Sequence, residues 1–256
     1  MRDSILERGA VANEAAPQCI LVTGASGGIG SAFCRQIAKR LPSATLVRLA
    51  RDLSRLQPLG TSTVDIEFDI GEEDQIREAI ARIPAELSMD WVFVATGWLH
   101  NDGKGPEKTY TNLDAEYLMH AYRINAIGPA LLLKHLIPKL DPLRECKVGI
   151  VSARVGSISD NRLGGWHSYR ASKAALNMLI KNFAIELARK KPRHIIVGLQ
   201  PGTTDTALSA PFQRHVPDGQ LQTPDYTAEQ LFRVMRKLRP EDSGSLFDFL
   251  GISFAP

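Results

Sequence analysis

The residues best suited to chemistry in this chain are a tyrosine and a lysine, Tyr169 and Lys173, which stand four positions apart. Positions four apart share one face of a helix, so the lysine ammonium can lie near the tyrosine hydroxyl. A nearby positive charge favours the phenolate, and it therefore lowers a tyrosine pKa that is otherwise about 10. The pair could thus act as a general acid and base near neutral pH, although ordinary surface neighbours on a helix have the same spacing.

A glycine-rich segment at residues 23–30 lies between a short apolar run, residues 19–22, and a helical pattern of apolar residues. In that position Gly24 permits a tight turn, Gly28 lets the backbone approach a diphosphate, and Gly30 lets the helix pack closely on a sheet. The free N–H groups at the helix start, together with the helix dipole, can hold the negative charge. The segment therefore predicts a dinucleotide-binding site, whereas three glycines without this context would indicate only a turn.

Strands and helices alternate along the chain and must position these two segments. The sequence predicts apolar strands at 19–22, 45–50, 64–68, 91–95, 147–152, 195–199 and 246–249. It predicts helices at 29–41, 72–83, 114–140 with a bend near Gly128-Pro129, 169–189 and 228–238. Strands that are apolar throughout predict a parallel sheet covered on both faces. The predicted fold class is α/β, with a doubly wound, Rossmann-like parallel sheet in a single domain over residues 17–256 and a mobile or loosely docked extension over 1–16.

The composition restricts what else the protein can do. A chain of 256 residues, 44% hydrophobic and 23% charged, has the make-up of a globular protein with a sizeable core. Its net charge of +3 is too small to indicate binding to nucleic acid or a membrane surface. No apolar run is long enough to span a membrane, and residues 1–16 lack the apolar core of a signal peptide. We therefore expect neither a nucleic-acid nor a membrane partner.

The cysteines and histidines also carry information. Cys19, Cys34 and Cys146 are scattered, which is typical of reduced, buried thiols in a cytoplasmic protein. The six histidines do not have the spacing of metal ligands. The sequence therefore predicts a cytoplasmic location and no metal site.

Further motifs accompany the first two, and together they resemble the short-chain dehydrogenase/reductase family over nearly all of residues 18–250. The family's order and spacing are matched by Thr-Gly-x-x-x-Gly-x-Gly at 23–30, Asn125 in Asn-Ala-x-Gly-Pro, Tyr-x-x-x-Lys at 169–173, and Pro201-Gly202 followed by Thr203, Thr204 and Thr206. Residues 156–161 and 164–166 resemble the branch that contains carbonyl reductase-like proteins, the Sniffer protein and the bacterial C-factor.

The resemblance implies roles for the matched residues. Tyr169 would donate a proton to a carbonyl oxygen or remove one from an alcohol, and Lys173 would hold the nicotinamide ribose hydroxyls. Asn125 would order a water that connects Lys173 to solvent, unless it is only a capping or buried amide in a bent helix. Asp69 would hydrogen-bond the adenine amine, with Ile70 against the ring. The expected cofactor contacts are Gly24, Ser26, Gly28, Ile29, Gly30, Arg51, Asp69, Ile70, Ala95, Gly97, Tyr169, Lys173, Pro201, Gly202 and Thr204.

Two departures from the family pattern bear on these roles. Ala153 stands where the family's catalytic serine is usual, three residues before the glycine that follows the fifth strand. The hydrogen bond that is lost with that hydroxyl could come from Ser152, which we prefer, or from Ser157. The second departure is Val-Ala-Thr-Gly at 94–97, where the family commonly has Asn-Asn-Ala-Gly. The backbone there can still pass close to the adenosine ribose, but a stabilising asparagine is absent.

The end of the second strand distinguishes the two nicotinamide dinucleotides. In NAD sites a carboxylate there accepts hydrogen bonds from the ribose hydroxyls, whereas this chain has Ala50 in that place. Arg51 follows, and its guanidinium can bind phosphate oxygens in a bidentate way. Asp52 could pair with Arg51 or turn toward the ribose, but we expect it to point away because the chain turns there. The predicted cofactor is NADP.

The leading hypothesis is therefore an NADP-dependent oxidoreductase that reduces a carbonyl, or oxidises a secondary alcohol, of a small molecule. The alternative is a C-factor-like, dinucleotide-binding signalling protein with little turnover. Ala153 favours that alternative, whereas the intact Tyr169, Lys173 and Asn125 oppose it.

Two surfaces lie beyond the reacting groups. The helices at 114–140 and 169–189 carry more apolar surface than one sheet face needs, and the family commonly pairs them across a two-fold axis. We therefore expect a homodimer or homotetramer.

Four aromatic side chains flank the expected mouth of the cleft, where they could shape a substrate pocket or serve only in packing: Trp98, His100, Trp166 and His167.

Overall fold

The central strands are buried along almost their whole length, as their continuous apolar pattern predicts. The computed structural model describes residues 4–9, 15–101, 104–190 and 193–256. Within these residues one sheet contains eight strands: β1 Cys19–Thr23, β2 Thr45–Ala50, β3 Thr63–Glu67, β4 Trp91–Val94, β5 Cys146–Val151, β6 His194–Gln200, β7 Leu246–Asp248 and β8 Ser253–Phe254. Their order is β3-β2-β1-β4-β5-β6-β7-β8, and only the β7–β8 pair is antiparallel within the described chain. The predicted doubly wound parallel sheet is confirmed, and β8 is an addition that the sequence did not reveal.

Helices cover both faces of the sheet. They are α1 Gly28–Arg40, α2 Glu73–Ala81, α3 Ala115–Tyr122, α4 Gly128–Leu136, α5 His167–Lys190 and α6 Pro224–Lys237. On one face α1 and α6 pack on an apolar cluster in which Phe33 stacks on Phe93 of β4, with ring centroids 3.8 Å apart. On the other face α2, α4 and α5 contribute Ile76, Leu132 and Ile180 to a second cluster. Because each face has its own core, the fold is a single α/β domain of three layers.

The helix predicted over residues 114–140 is interrupted by a π-helical turn, Arg123–Ile127, between α3 and α4. A π turn inserts one extra residue into a helix and occurs frequently at functional sites. Gly128 begins α4 in close contact with the segment that follows β3, because a Cβ on it would overlap the Ile70 carbonyl oxygen. Pro129 follows and has no N–H for the helical ladder. The bend therefore lies just ahead of Gly128, and it contains Asn125.

The strand order reverses between β1 and β4, because the chain runs from β1 out to β2 and β3 and then returns. In open α/β sheets, ligands bind in the crevice at the carboxyl ends of the strands on either side of such a reversal. The glycine-rich segment follows β1, residues 95–98 follow β4, and residues 152–166 connect β5 to α5. The topology therefore brings the predicted cofactor and catalytic segments to one edge of the sheet.

Residues 4–9 lie against the β7–β8 edge of the sheet. Ile5 is buried, and its N–H donates to the Gly251 carbonyl at 3.0 Å. The Arg8 guanidinium pairs with the Asp242 carboxylate at 2.6 Å. Residues 1–3 and 10–14 lie outside the described residues, so the mobile extension over 1–16 stays a prediction.

Three further observations concern possible partners and chemistry. No helix in the described segments has both the length and the apolarity to cross a membrane. The same segments contain no group of three or more His, Cys, Asp or Glu side chains that could hold a metal ion. All three cysteines are buried thiols.

Candidate active site

The segment after β1 requires glycine where the backbone turns and where α1 approaches it. Gly24 has φ +65°, and a Cβ there would lie 2.9 Å from the Ala95 carbonyl oxygen. A Cβ on Gly30 would overlap the Gly24 carbonyl oxygen, so α1 reaches this close only with glycine at that position. Gly28 begins α1, and a Cβ on it would lie 2.5 Å from the Thr206 side chain. The turn therefore places the N-terminus of α1, whose N–H groups can hold a phosphate, at the crevice.

A cleft of about 190 Å³ extends from this turn across the ends of β2, β3 and β4. Seven of the predicted cofactor contacts line it: Gly24, Ser26, Arg51, Asp69, Ile70, Ala95 and Gly97. It is also lined by residues that the sequence did not single out as contacts, namely Gly27, Ala50, Arg55, Phe68, Thr96, Trp98, His120 and Ile124. Gly28, Ile29, Gly30, Tyr169, Lys173, Pro201, Gly202 and Thr204 are not among its lining residues. With apolar Phe68 and Ile70 on either side of a carboxylate, the cleft has the chemistry to hold an adenine ring.

Two arginines that follow β2, Arg51 and Arg55, line this cleft. The Asp52 carboxylate is engaged within its own turn, because its Oδ1 accepts hydrogen bonds from the Ser54 N–H at 3.0 Å and the Ser54 hydroxyl at 2.6 Å. These bonds cap a short 3-10 turn, Leu53–Arg55, and they lower the pKa of the Asp52 carboxyl. The turn carries Arg55 back to the cleft beside Arg51. The expectation that Asp52 points away stays a prediction, since its carboxylate also interacts electrostatically with Arg55 of the cleft lining. Arg55 was missed because its approach depends on that cap.

Three elements bring Tyr169, Lys173 and Asn125 together. Tyr169 and Lys173 lie on α5, and the Lys173 Nζ donates at 3.0 Å to a backbone carbonyl at the end of β5. Asn125 is fully buried in the π turn, and it exchanges two 2.8 Å hydrogen bonds with the backbone of Trp98. Gly97 lies beside both groups, because a Cβ on it would be 3.8 Å from the Asn125 Oδ1 and from the Lys173 Nζ. Lys173 and Asn125 therefore lie together beside a residue that lines the cleft, and the Tyr169 ring lies next to Lys173.

Burial sets the protonation of the tyrosine and the lysine. It raises the pKa of Tyr169 to about 12 and lowers the pKa of Lys173 to about 8. The Lys173 Nζ lies 5.9 Å from the centroid of the Tyr169 ring. In the free protein the loss of hydration therefore dominates the pKa of Tyr169, and its direction is opposite to the lowering expected from Lys173. Tyr169 holds its proton at neutral pH and can donate it.

The two serines considered as replacements for the missing one both turn inward. Ser152 is buried, and its hydroxyl donates a 2.6 Å hydrogen bond to the Asn177 Oδ1. Ser157 is buried as well, and its Oγ accepts a hydrogen bond from the Asp160 N–H at 3.2 Å. The preference for Ser152 is therefore not supported by its geometry, because an interior amide already uses its proton. Ala153 leaves the neighbouring position without a hydroxyl.

The segment after β6 places its threonines differently from the expectation. Thr204 is buried, and its hydroxyl shares a 2.9 Å hydrogen bond with the Thr227 hydroxyl, so its side chain faces the interior. Thr206 lies over Gly28 of the glycine turn instead. Gly202 takes φ +76° and lines a separate cleft of about 560 Å³. Any contact of Thr204 with a cofactor would therefore use its backbone, whereas Thr206 offers a side chain.

The aromatic residues expected at the cleft mouth divide into two groups. Trp98 lines the cofactor cleft and packs against Tyr117 and His120, with both pairs of ring centroids 4.6 Å apart. Trp166 lies beside Tyr169, with ring centroids 6.2 Å apart. His100 contacts the ring of Phe212 after β6. The sequence could not indicate Phe212, because no local motif marks it.

Comparison with known proteins gives a consistent result. A family model described as short chain dehydrogenase matches residues 18–216. The chain is 32% identical over 226 residues to 1-hydroxy-2-glutathionyl-2-methyl-3-butene dehydrogenase of Rhodococcus sp. (strain AD45), a match that covers 88% of this chain and 93% of the relative. It is 34% identical over 140 residues to the C-signal protein of Myxococcus xanthus, which covers 54% of this chain and 79% of that protein.

Two solved structures have the same fold. The NADPH-bound carbonyl reductase from chicken fatty liver is 23% identical, with a TM-score of 0.80 and coverage of 95% of this chain and 96% of that chain. The carbonyl reductase Sniffer of D. melanogaster is 20% identical, with a TM-score of 0.79 and coverage of 94% and 100%. At these identities the two structures bear on the fold alone.

The buried amine of Lys173 gives a test that needs no ligand. Burial lowers its pKa from 10.5 to about 8, so between these values the unfolded chain holds the proton and the folded protein does not. Stability therefore rises with pH in that window, and the cost of the buried charge is present in full below it. We expect Lys173→Met to raise the free energy of unfolding at pH 7 by on the order of 2–3 kcal/mol, and this gain to shrink toward pH 10.

Urea unfolding at pH 7 and pH 9.5 measures the effect. The matched control is Lys181→Met, which removes an exposed lysine of the same helix and should change stability equally at both pH values. The same pH dependence in wild type and Lys173→Met would contradict the prediction.

Proposed function

The chain belongs to the short-chain dehydrogenase/reductase family, and on that premise we propose that it is an NADP-dependent oxidoreductase that reduces a carbonyl, or oxidises a secondary alcohol, of a small molecule. The predicted resemblance to carbonyl reductase, Sniffer and C-factor-like proteins is confirmed by the relatives found. The observation that carries the proposal is the placement of the Lys173 Nζ and the Asn125 amide beside Gly97, a residue that lines the cleft, with the ring centroid of protonated Tyr169 5.9 Å from that Nζ.

The residues of the cleft fit a dinucleotide. The turn at Gly24 and the start of α1 provide backbone N–H groups for a diphosphate. Asp69 and Ile70 provide a carboxylate and an apolar surface for adenine. When bound, the nicotinamide would supply the hydride. Lys173 lies beside Gly97, where its ammonium can donate to ribose hydroxyls.

The proton would come from Tyr169. Its hydroxyl is protonated at neutral pH because burial raises its pKa to about 12. A carbonyl oxygen that gains negative charge becomes a strong acceptor, so a positioned phenol can transfer its proton in the same step. Lys173 then favours the phenolate that remains, and it does so more strongly when the lysine is charged. The free protein therefore already carries, on Tyr169, the proton that reduction of a carbonyl requires.

The preference for NADP rests on the end of β2. Ala50 replaces the acid that would repel a 2′-phosphate, and Arg51 and Arg55 both line the cleft there. Guanidinium groups bind phosphate through charge-assisted, bidentate hydrogen bonds. The structurally similar carbonyl reductase from chicken fatty liver is NADPH-bound. These observations support NADP over NAD for this chain.

The signalling alternative receives less support. The match to the C-signal protein covers only 54% of this chain, and Ala153 together with the inward Ser152 removes one substrate contact. Tyr169, Lys173 and Asn125 are nevertheless all present, and Lys173 and Asn125 lie together beside Gly97. Turnover is therefore the favoured function.

Assembly and location complete the proposal. Exposed apolar side chains lie on α3 and the π turn, at Met119 and Ile127, and on α5, at Met178 and Ile185. Each pair lies about two helical turns apart on one face, as an interface between two copies would require. We therefore keep a homodimer or homotetramer as the proposed assembly, and a cytoplasmic location is supported by the three buried thiols.

The proton donor is tested by Tyr169→Phe. Removing the hydroxyl should lower kcat for carbonyl reduction by about 10²–10⁴-fold, the usual worth of a general acid, and leave NADPH affinity nearly unchanged. Reduction of a panel of aldehydes and ketones, followed by NADPH absorbance, measures it. Tyr110→Phe makes the same deletion at a site that is 75% exposed and serves as control. Turnover like that of wild type in Tyr169→Phe would refute the role.

The cofactor preference is tested by titrating NADP and NAD into wild type, Arg51→Ala and Arg55→Ala. A hydrogen bond to a charged group contributes about 1.5–3 kcal/mol, so each variant should bind NADP at least about tenfold more weakly and NAD unchanged. Arg77→Ala removes the same charge from a surface pair with Asp74 and controls for net charge. Equal affinity of wild type for both cofactors would contradict the proposal.

The assembly is tested by light scattering at micromolar concentration. Wild type should have the mass of two or four chains, and Met178→Glu should dissociate it because a charge would be buried in the interface. Ile158→Glu places the same charge on a loop residue that is 78% exposed, and it should leave the mass unchanged. A monomeric wild type would show that the apolar faces of α3 and α5 serve another purpose.

A further inference from the structure

Four aromatic side chains form a row that ends at the catalytic tyrosine. The ring of His100 packs edge-on against Phe212 at 5.6 Å, Phe212 against Trp166 at 5.0 Å, and Trp166 against Tyr169 at 6.2 Å. The interplanar angles are 68°, 60° and 69°, the edge-to-face arrangement that aromatic rings prefer. All four side chains are half-buried rather than fully enclosed. The row therefore has an open side and is not part of either buried core. We refer to these four side chains, His100, Phe212, Trp166 and Tyr169, as the aromatic wall.

The backbone at Trp166 is strained to place its ring in this row. Its φ is +51°, and no other non-glycine residue in the described chain has a positive φ. Such a conformation costs a bulky residue about 1–3 kcal/mol, and it persists only where the surrounding structure enforces it. The two preceding residues, Gly164 and Gly165, have φ values of +63° and +62° and adopt the same left-handed conformation. Strain of this kind is characteristic of ligand sites, since packing alone rarely requires it.

Hydrogen bonds on both sides hold this conformation. The Trp166 N–H donates to the Glu107 carbonyl at 2.5 Å, and the Trp166 carbonyl accepts from the Arg170 N–H at 2.8 Å. The Glu107 carboxylate is buried and caps the start of α5 by accepting from the N–H and the hydroxyl of Ser168. The Arg170 guanidinium binds the Gly165 carbonyl at 3.0 Å. The wall is thus fixed to the helix that carries Tyr169, and it cannot adapt freely to ligand shape.

The far end of the row carries a polar atom without a partner. The Nε2 of His100 is buried, and it has no hydrogen-bond partner among the described residues. A buried polar group left unpaired costs about 1–3 kcal/mol, which a ligand group of matching polarity recovers. The wall therefore combines ring surface beside Tyr169 with one hydrogen-bonding position farther away.

We infer that the substrate of the proposed reaction is an aromatic aldehyde or ketone whose ring packs on Trp166 and Phe212 and bears a hydroxyl group that hydrogen-bonds to the His100 Nε2. The inference rests on the proposed function for the placement of the reacting carbonyl at Tyr169. The ring site itself is defined by the side chains of the wall. A rigid aromatic wall favours a flat ring over a saturated one of the same size, because only the flat ring continues the edge-to-face packing.

Binding of alcohol products tests the ring site separately from turnover. The protein with NADPH bound cannot oxidise an alcohol, so isothermal titration with benzyl alcohols reports binding only. The probes are 3- and 4-hydroxybenzyl alcohol, their methyl counterparts, benzyl alcohol and cyclohexylmethanol. We expect at least one hydroxyl probe to bind about tenfold more tightly than its methyl counterpart, as one recovered hydrogen bond predicts. Benzyl alcohol should bind several-fold more tightly than cyclohexylmethanol.

Variants assign each preference to its residue. His100→Phe should abolish the preference for hydroxyl over methyl, whereas His135→Phe, the same change on α4, should retain it. Trp166→Leu should reduce the preference for benzyl alcohol over cyclohexylmethanol. Phe212→Leu tests the same wall at a residue without backbone strain if Trp166→Leu does not fold.

The outcomes separate this inference from the proposed function. Absence of binding by every probe, or a hydroxyl preference that survives His100→Phe, would overturn the inference. Reduction of aliphatic carbonyls in preference to aromatic ones would overturn it while leaving the oxidoreductase proposal intact. Selective binding without any NADPH-dependent reduction would leave the ring site standing and refute the oxidoreductase function.

Discussion

The side-chain amide of Asn125 connects the elements on which the candidate active site depends. Its oxygen accepts the Trp98 N–H, and its two amide protons go to the Trp98 carbonyl and the Ser172 hydroxyl. These partners lie after β4 and on α5, so one buried side chain fixes the segment after β4 relative to α5. Because every one of these groups is buried or half-buried, breaking the link would leave backbone groups unpaired. Asn125 is thus a buried amide in the interrupted helix, with its oxygen and both amide protons bonded to protein groups, and its water-ordering role stays a prediction.

Burial in this framework favours the neutral form of both the tyrosine and the lysine. Each side chain favours its neutral form, because the site removes water from both and keeps the Lys173 Nζ 5.9 Å from the Tyr169 ring. The tyrosine is therefore an acid before any ligand arrives. A ligand with hydroxyl groups beside Lys173 would stabilise the ammonium and strengthen its effect on the phenol. The chemistry that the sequence attributed to spacing alone therefore depends equally on the loss of solvent.

Local signals predicted the parts of the fold and site that local geometry determines. Gly24 and Gly30 could be identified because a turn followed by a closely packed helix excludes any side chain there, and the continuous apolar strands predicted the parallel sheet. Arg55 and Thr206 could not be placed from their neighbours in the sequence, since one depends on the cap at Asp52 and the other on packing across the sheet edge. The direction of Ser152 failed for the same reason: Asn177, far along the chain, determines it.

The missing serine and the rigid aromatic wall both affect how a carbonyl group is oriented for reaction. With Ala153 in the usual place, Ser152 turned to Asn177 and Ser157 buried, Tyr169 is the half-buried hydroxyl that these motifs leave for the carbonyl oxygen. A single hydrogen bond fixes the oxygen, but it leaves the carbonyl plane free to rotate about it. Productive geometry requires that rotation to be restricted as well. A ring packed against Trp166 would restrict it, and the strain maintained at that residue by Glu107 and Arg170 is what such a task would require.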